Sequence, residues 1–462
     1  MSLRKLIIRL PFPILRSLGS LYRVIPSHIR FGKVFWETYH FLQRSQWWSR
    51  ERLEEYQFSQ LEKLLKHAYD CVPYYRRLFD ETGLKPSHIQ NFEDLKSLPY
   101  LTKDMFRQNY DTLIEENSST KGFHKVNTSG TTGKPLQFYE NKWTTQMERA
   151  FIYHQWSRVG VTPDDPMLQM RGPVIQDNIP EYYLKSKTLR LSPRVGSLEI
   201  VRFYLEEMKK SGASYLHGYP SAIALFALTI KQHGLIVPIK IEAILFASEA
   251  VYAWERKIVE EVFGCRVFSF YGMAEKVVLA AECETSHDYH CLPQYGITEI
   301  DEKTKEIIGT GFLNHLNPFI RYRTTDVAYG LSDSECKDCG RHEYPVFSGV
   351  EGRLEDFIVT TDGVPISPAI ITHPMKDLKA IKSTQLLQKS LDSIKVKIVP
   401  WNQHDPKTLD KEADIIRQGI QGILGVDMKV EIEITQSVEL SATGKFKWVI
   451  SDVHKGFLEI IE

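Results

Sequence analysis

The loop within residues 127–141, NTSGTTGKPLQFYEN, combines close-set glycines, hydroxyl-bearing side chains and a lysine. Backbone N–H groups of such a loop can surround an anion, because glycine has no side chain to block the approach. Lys134 can add a positive charge, so the loop favours phosphate binding. It does not fit the familiar G-x-x-x-x-G-K-[ST] pattern, because only two residues separate Gly130 from Gly133 and Pro135 follows the lysine. An ordinary hairpin loop is the alternative.

A second candidate site contains thiols. Cys336 and Cys339 form a C-x-x-C pair, a spacing that lets one metal take both thiolates, although it also serves redox chemistry. The earlier stretch ECETSHDYHC offers two cysteines and two histidines: Cys283, His287, His290 and Cys291. Cys283 and His290 would complete a structural zinc site, because four protein ligands leave no open position on the metal. His287 and Cys291 remain alternatives for the fourth ligand.

Composition limits the class of protein. A chain of 462 residues is too long for one compact core, so we expect at least two domains. The 58 basic residues balance the 58 acidic ones, which argues against a nucleic-acid partner. The apolar run at 219–230 is shorter than the ~18 residues that a membrane-spanning helix requires. No secretory signal pattern is visible, so the sequence predicts a cytoplasmic protein.

The N-terminal segment, residues 1–33, is locally basic, and no acidic residue precedes Glu37. Its basic residues are Arg4, Lys5, Arg9, Arg16, Arg23, Arg30 and Lys33. Such a segment could associate peripherally with an anionic membrane surface at the inner membrane face. Docking on the body of the protein itself is the alternative that we favour.

Two patterns in the sequence predict the secondary structure that would position the candidate site residues. Between about 140 and 330, helix-like stretches alternate with short apolar runs, which predicts an α/β sheet with crossover helices. Ligands bind where loops leave the strands of such sheets, and four polar side chains lie at these exits: Ser248, Glu249, Tyr271 and Glu275. Two strands of alternating apolar residues then flank an amphipathic helix near the C-terminus. We therefore predict a large domain over 1–354 and a small α+β domain over 355–462.

Four further motifs follow the loop in order: SFYGMAE (269–275), IRYRTTDVA (320–328), EGRLED (351–356) and SATGKFKWVIS (441–451). Taken together, these motifs resemble those of the adenylate-forming superfamily of acyl-CoA synthetases and adenylation domains. The resemblance covers essentially the whole chain. Within this superfamily, the chain is similar to the phenylacetate–CoA ligase branch, which includes capsular-polysaccharide ligase-like proteins. The stretch HAYDCVPYYRRLF and the cysteine and histidine residues also look like that branch. The resemblance implies a large domain with mixed sheets and a small mobile C-terminal domain.

The resemblance also implies activation of a carboxylic acid by ATP and Mg²⁺. The phosphates would be held by Thr128, Ser129, Gly130, Thr131, Thr132, Gly133 and Lys134. Glu275 would bind Mg²⁺, and the nucleotide would contact Ser248, Glu249, Tyr271, Gly272, Met273, Ala274, Asp326 and Arg353. Lys445 would contact the carboxylate and α-phosphate, and Glu355 would be the hinge of the small domain. His217, Tyr219 and Pro220 would line the acid site, with a helix-start loop of packed aromatic residues as the alternative.

Three positions depart from the family pattern: Ala274 replaces threonine, Thr325 replaces glycine before Asp326, and Lys447 stands where arginine is common. None removes a charged catalytic group. The expected acceptor of the acyl group is CoA, and the alternative is an amine in surface polysaccharide biosynthesis. A non-catalytic nucleotide- or zinc-binding scaffold is a third hypothesis, which Glu275 and Lys445 disfavour. The oligomeric state stays open, with a homodimer as one alternative.

Overall fold

The computed structural model describes residues 25–116, 122–128, 136–175, 178–183, 187–195, 197–332, 336, 339–351, 357–366, 368–375, 378–401, 405–438 and 448–453. Several predicted features lie outside these residues: the basic segment before Ile25, the phosphate loop from Ser129 to Lys134, Arg353, Glu355 and Lys445. The predicted domain boundary at 354/355 also lies outside them and stays a prediction.

The N-terminal region is helical. Its helices are α1 (Ser27–Phe31), α2 (Lys33–Ser45), α3 (Arg50–Cys71), α4 (Pro73–Thr82), α5 (Phe92–Leu95) and α6 (Lys103–Gln108). Helix α3 begins at the N-cap Ser49 and buries Leu61, Leu65 and Ala68 on one face, as the apolar spacing predicts. Arg30 of α1 donates to Asp164 at 2.6 Å with its side chain fully buried, so this end of the basic segment docks on the protein itself.

A two-stranded hairpin carries the candidate phosphate loop. Strands β1 (His124–Asn127) and β2 (Gln137–Glu140) pair antiparallel, and helix α7 (Lys142–Trp156) follows after the N-cap Asn141. The residues after Pro135 thus begin a strand rather than a helix.

The central six-stranded sheet has the order β4-β5-β3-β6-β7-β8. Its strands are β3 (Met167–Met170), β4 (Glu181–Tyr183), β5 (Thr188–Arg190), β6 (Tyr215–Gly218), β7 (Ala243–Phe246) and β8 (Arg266–Phe268). All neighbours pair parallel except β4, which runs antiparallel to β5. The crossover helices α8 (Leu198–Ser211), α9 (Pro220–Gln232) and α10 (Ala253–Phe263) connect the parallel strands, which confirms the predicted α/β arrangement.

Two antiparallel four-stranded sheets follow. The first, of order β15-β11-β10-β9, contains β9 (Phe270–Gly272), β10 (Leu279–Glu282), β11 (Tyr289–Cys291) and β15 (Val346–Phe347). The second, of order β12-β13-β14-β16, contains β12 (Gly296–Ile300), β13 (Glu306–Gly311), β14 (Tyr322–Tyr329) and β16 (Gly349–Glu351). The large region therefore combines parallel and antiparallel sheets.

The C-terminal region is a smaller α+β unit. Its elements are β17 (Ile358–Val359), β18 (Pro365–Ile366), α11 (Pro368–Ile371), β19 (Ile381–Ser390), β20 (Ser393–Pro400), α12 (Pro406–Leu424), β21 (Lys429–Ile434) and β22 (Val449–Ser451). The sheet β21-β20-β19-β22 packs its apolar face on α12, where Ile416 and Ile420 are buried. Tyr219 and Ala222 at the start of α9 belong to the same apolar core, so the central sheet contacts this unit. No helix among the described residues is long and apolar enough to cross a membrane.

Candidate active site and metal centre

Three adjacent parallel strands end in register at one edge of the central sheet. Met170 of β3 lies beside Gly218 of β6, and Gly218 lies beside Phe246 of β7. The residues that leave these strands are therefore neighbours at the carboxyl edge, where α/β sheets bind ligands. They include Arg171, Tyr219 and Ser248.

The two candidate base-binding residues have different surroundings. Ser248 is exposed and adopts a left-handed backbone conformation with φ of 74°. Glu249 accepts a hydrogen bond from the backbone N–H of Ser221 at 3.1 Å, at the start of α9. A carboxylate is favoured there because the first N–H groups of a helix have no partners within the helix. Glu249 is thus held in place at the sheet edge.

Tyr271 and Asp326 come from different motifs and contact each other directly. The Tyr271 hydroxyl donates to Asp326 Oδ2 at 2.9 Å. Burial and the Asp326 charge both raise the pKa of Tyr271, so the phenol stays protonated and donates. Thr325 has φ of 70°, a conformation that glycine adopts readily, which explains why glycine fits the family pattern there. The two antiparallel sheets thereby bring two candidate nucleotide-binding residues together.

Glu275 is buried, with an exposed fraction of 4%. The hydroxyl of Tyr322 donates to its Oε1 at 2.9 Å, and burial followed by the Glu275 charge raises the pKa of Tyr322. Its second oxygen, Oε2, receives no hydrogen bond from the part of the chain that the structure describes. A carboxylate with one oxygen fixed and the other available fits a hard cation such as Mg²⁺. Gly272, Met273 and Ala274 immediately precede it.

An ion pair that the sequence did not suggest connects this segment to the hairpin. Lys276, directly after Glu275, has φ of 57° and pairs with Glu140 at the end of β2; both side chains are largely buried. The same ammonium group donates to the carbonyl of Ala274 at 3.3 Å. The pair fixes the base of the hairpin relative to Glu275.

Thr128 closes the hairpin just before the candidate phosphate loop. Its N–H donates to the carbonyl of Leu136, and its hydroxyl oxygen accepts from the N–H of Leu136, each at 2.9 Å. The hydroxyl therefore fixes the two ends of the loop, and any contact of Thr128 with phosphate stays a prediction.

The three residues predicted to line the acid site lie together. His217 Nδ1 donates to the carbonyl of Leu245 at 2.9 Å, and its Nε2 accepts from Arg171 at 2.9 Å. Burial, followed by the Arg171 charge, lowers the pKa of His217 to about 3, so the imidazole is neutral. Tyr219 is buried and Pro220 begins α9, so the helix-start geometry that we gave as the alternative is also present. The sequence does not single out Arg171, whose only local signal is its place directly after the strand MLQM.

Four of the predicted metal ligands come together. The ligand atoms of Cys283, His290, Cys336 and Cys339 all lie within 4.8 Å of one another. Cys283 Sγ is 3.9 Å from Cys336 Sγ, and Cys339 Sγ is 3.9 Å from His290 Nδ1. His290 is fully buried, yet its Nε2 has no hydrogen-bond partner among the described residues. Three thiols and an imidazole with an unsatisfied nitrogen fit a structural zinc ion.

The two alternative ligands are engaged elsewhere. His287 Nδ1 donates to Glu282 Oε1 at 2.6 Å, and more than half of its side chain is exposed. Cys291 follows His290 in β11, so its side chain faces the opposite side of the strand. Burial raises the pKa of the Cys291 thiol to about 12, which disfavours a thiolate ligand.

A buried ion pair supports the imidazole of His290. Arg158 donates to both oxygens of Glu343 at 2.8 and 2.6 Å, and Glu343 Oε2 lies 3.7 Å from His290 Nδ1. Although burial alone would favour a protonated carboxyl, the Arg158 charge lowers the pKa of Glu343 to about 2. An ionised carboxylate beside a metal-ligating histidine orients its ring.

Comparisons with known proteins agree with this arrangement. Residues 358–452 match the CapK C-terminal domain family. Over 420 residues the chain is 21% identical to Protein CapK of Staphylococcus aureus, covering 87% of this chain and 90% of that protein. It is 24% identical over 435 residues to phenylacetate-coenzyme A ligase of Pseudomonas putida, covering 86% and 92%. The chain is thus similar over most of its length to CapK and to phenylacetate-coenzyme A ligases, and its C-terminal unit matches the CapK C-terminal domain family.

Solved structures share the fold of this chain. A crystal structure of 2-hydroxyisobutyryl-CoA ligase with 2-HIB-AMP and CoA, in the thioesterification state, matches with a TM-score of 0.59 at 19% identity, covering 91% of this chain and 94% of that one. The postadenylation state of that ligase, in complex with 2-HIB-AMP, matches with a TM-score of 0.56 at 17% identity, with the same coverage. The expected fold, a large mixed α/β region followed by a smaller C-terminal unit, is confirmed.

The metal centre can be tested by elemental analysis. We expect about one zinc per chain, and Cys336→Ser or His290→Ala should lower the zinc content sharply and reduce the melting temperature, because metal binding contributes to folding. His287→Gln is the matched control and should retain the metal, since His287 is paired with Glu282. Full zinc content in the His290→Ala protein would contradict this ligand assignment.

Because the Arg158–Glu343 pair is buried, its loss should lower the free energy of unfolding far more than the loss of an exposed ion pair. Arg158→Ala should lower the free energy of unfolding by about 3–5 kcal/mol at pH 7, because it leaves a buried carboxylate unpaired. Lys231→Ala, which breaks an ion pair with Glu261 whose side chains are half exposed, should cost less than about 1 kcal/mol. Denaturant titration of both variants measures the difference, and equal losses would refute it.

The same ion pair should make the stability of the folded protein depend on pH. The pKa of Glu343 lies below its ordinary value of 4.5, so the folded state favours the ionised carboxyl. Its contribution to stability is present above pH 4.5 and is lost as the pH falls toward 2. The Arg158→Ala variant should therefore differ most from wild type near neutral pH.

Proposed function

We propose that the protein uses ATP to convert a carboxylic acid to an acyl-AMP with release of pyrophosphate, and then transfers the acyl group to CoA. One observation carries this proposal: the motifs at 269–275 and 320–328 converge, with Tyr271 bonded to Asp326 and Tyr322 bonded to Glu275. These contacts gather a carboxylate suited to sugar hydroxyls and one suited to a cation at a single site. Similarity to phenylacetate-coenzyme A ligases over most of the chain supports the same reaction.

The first half-reaction solves a chemical problem. A carboxylate is a poor electrophile, and joining it to AMP gives it a good leaving group. Negative charge builds up around the α-phosphate in this step, and preorganised donors stabilise it. Ser129, Gly130, Thr131, Thr132, Gly133 and Lys134 would hold the β- and γ-phosphates. Ser248, Glu249 and Tyr271 would contact the base, and Asp326 would accept hydrogen bonds from the ribose hydroxyls, with Arg353 beside it.

Two further groups would act on the phosphates. Glu275 would hold Mg²⁺, which when bound neutralises the charge of the triphosphate. Lys445, carried by the C-terminal domain (355–462), would contact the reacting carboxylate and the α-phosphate. Rotation of this domain about Glu355 would then remove Lys445 and admit the acceptor. In this proposal the zinc ion is structural, since four protein ligands would saturate it.

Transfer to an amine is the second candidate, and the match of the C-terminal unit to the CapK family is compatible with it. One observation favours it: the chain is 26% identical over 141 residues to indoleacetate–lysine synthetase of Pseudomonas savastanoi, whose name states an amine acceptor. This match covers 29% of the chain and 34% of that protein. Under this candidate the protein would act in surface polysaccharide biosynthesis, in the cytoplasm at the inner membrane face. Arg30 is already bonded to Asp164, so membrane contact would fall to the basic residues before Ile25.

Pyrophosphate exchange against a panel of carboxylic acids tests the activation step, because it requires no acceptor. An acid that supports ATP- and Mg²⁺-dependent exchange should then be supplied with CoA or with amines, and the product identified by mass. Thioester formation supports the first candidate, and amide formation without a thioester supports the second. No exchange with any acid would refute acid activation itself.

Lys445 provides a sharper test of the mechanism. Lys445→Ala should lower the rate of pyrophosphate exchange on the order of 10²–10³-fold, comparable to the loss of one oxyanion donor. Lys429→Ala is the matched control, because Lys429 is exposed and pairs only with Asp392 on the surface of the same unit. Wild-type exchange rates in the Lys445→Ala protein would refute the assigned role.

A further inference from the structure

The guanidinium of Arg171 carries a charge that the described residues do not neutralise. Its Nη1 donates to His217 Nε2 at 2.9 Å, and its Cζ lies 6.0 Å from the centre of the Tyr219 ring. No aspartate or glutamate in the described part of the chain forms an ion pair with it. Burial lowers the pKa of Arg171, yet a guanidinium stays protonated at neutral pH. Arg171 is partly exposed, and an anionic ligand would pair with a charge that the described residues leave unbalanced.

His217 orients Arg171 without balancing its charge. The imidazole uses Nδ1–H on the carbonyl of Leu245, so Nε2 can only accept from Arg171. The imidazole is neutral, as its lowered pKa indicates. The bond to His217 therefore fixes one end of the guanidinium. Its remaining N–H groups lie in one plane and could donate two parallel hydrogen bonds to a carboxylate.

Two buried polar groups beside His217 and Tyr219, the side chains that Arg171 contacts, lack partners among the described residues. They are the indole N–H of Trp156 and the hydroxyl of Ser221. The Trp156 ring lies 4.9 Å from the His217 ring, and Ser221 follows Tyr219 at the start of α9. Buried donors are normally hydrogen-bonded. An aromatic acid without a second polar group would leave all three groups unpaired.

The position of Arg171 relates it to the candidate nucleotide site. Arg171 follows β3 and Ser248 follows β7, and these strands are separated only by β6. At about 4.8 Å per strand, the two strand ends are roughly 10 Å apart along one edge of the sheet. A short acid can therefore present its reacting carboxylate toward the nucleotide while its other end reaches Arg171.

We propose that the acid is a dicarboxylate whose non-reacting carboxylate pairs with Arg171, with Trp156 and Ser221 as additional donors. This inference rests on the proposed acid activation and specifies its substrate class. Arg171 is then a specificity-determining residue, because the uncharged analogue of the substrate would leave the guanidinium unpaired.

Matched acids test the inference in pyrophosphate exchange. Succinate, glutarate and adipate are each compared with the corresponding monoamide, which keeps the reacting carboxylate and the size but loses the second charge. For the best-fitting pair, wild type should favour the dicarboxylate by about 10- to 100-fold in kcat/KM. Arg171→Gln should reduce that preference to near one, and Arg171→Lys should give an intermediate value because it keeps the charge and loses the fork. Arg202→Gln, at an exposed position on α8, should keep the wild-type preference.

The possible results distinguish a wrong substrate class from a wrong assignment of acid activation. Exchange with monocarboxylates at least as good as with dicarboxylates, or an unchanged preference in Arg171→Gln, overturns the inference and leaves acid activation standing. No exchange with any acid overturns both. If a variant is unstable, the preference of the wild-type protein for the dicarboxylate over its monoamide is sufficient to test the inference. We expect the melting temperature of Arg171→Gln to be no lower than that of wild type, since the substitution removes an unpaired charge.

Discussion

A charged side chain that leaves water must find a partner inside the protein, and this constraint organises the candidate site. Glu140 pairs with Lys276, and Glu343 pairs with Arg158, each across two elements that are distant in sequence. The first pair joins the hairpin to the segment that carries Glu275, and the second joins α7 to the cysteine and histidine cluster. Two side chains differ: the buried Glu275 and the partly exposed Arg171 bond to the neutral groups of Tyr322 and His217. Ion pairs between buried charges connect distant elements of the fold. A charge without an oppositely charged partner instead indicates a place where a charged ligand could bind.

Each kind of sheet makes a different contribution to the site. The parallel sheet supplies a row of strand ends, because strands in register must end side by side. The antiparallel sheets supply pairs of facing side chains, of which Tyr271 and Asp326 are one. A nucleotide lying between them would contact backbone turns on one side and fixed hydrogen-bonding groups on the other.

The sequence predicts the elements and the metal ligands better than the connections between them. Apolar spacing predicts α3, α9 and α12, and ordered motifs predict the family. The choice of His290 over His287 requires the fold, because only the alternation along β11 decides which side chain faces the cluster. Lys276, Arg158 and Arg171 escaped prediction because their partners lie far away in the chain, and no local pattern specifies a long-range ion pair.

Tyr219 belongs both to the candidate acid site and to the apolar core of the C-terminal unit. Its hydroxyl accepts from the N–H of Gly172 at 3.2 Å and lies 3.3 Å from His373 Nε2 of that unit. If the acid binds at the strand ends as proposed, its binding and the orientation of the C-terminal unit would be linked through this one side chain. By reciprocity, any acid that binds more tightly in one orientation also stabilises that orientation by the same free energy. In the proposed mechanism, the choice of acid would therefore also shift the equilibrium between the two orientations of the C-terminal unit.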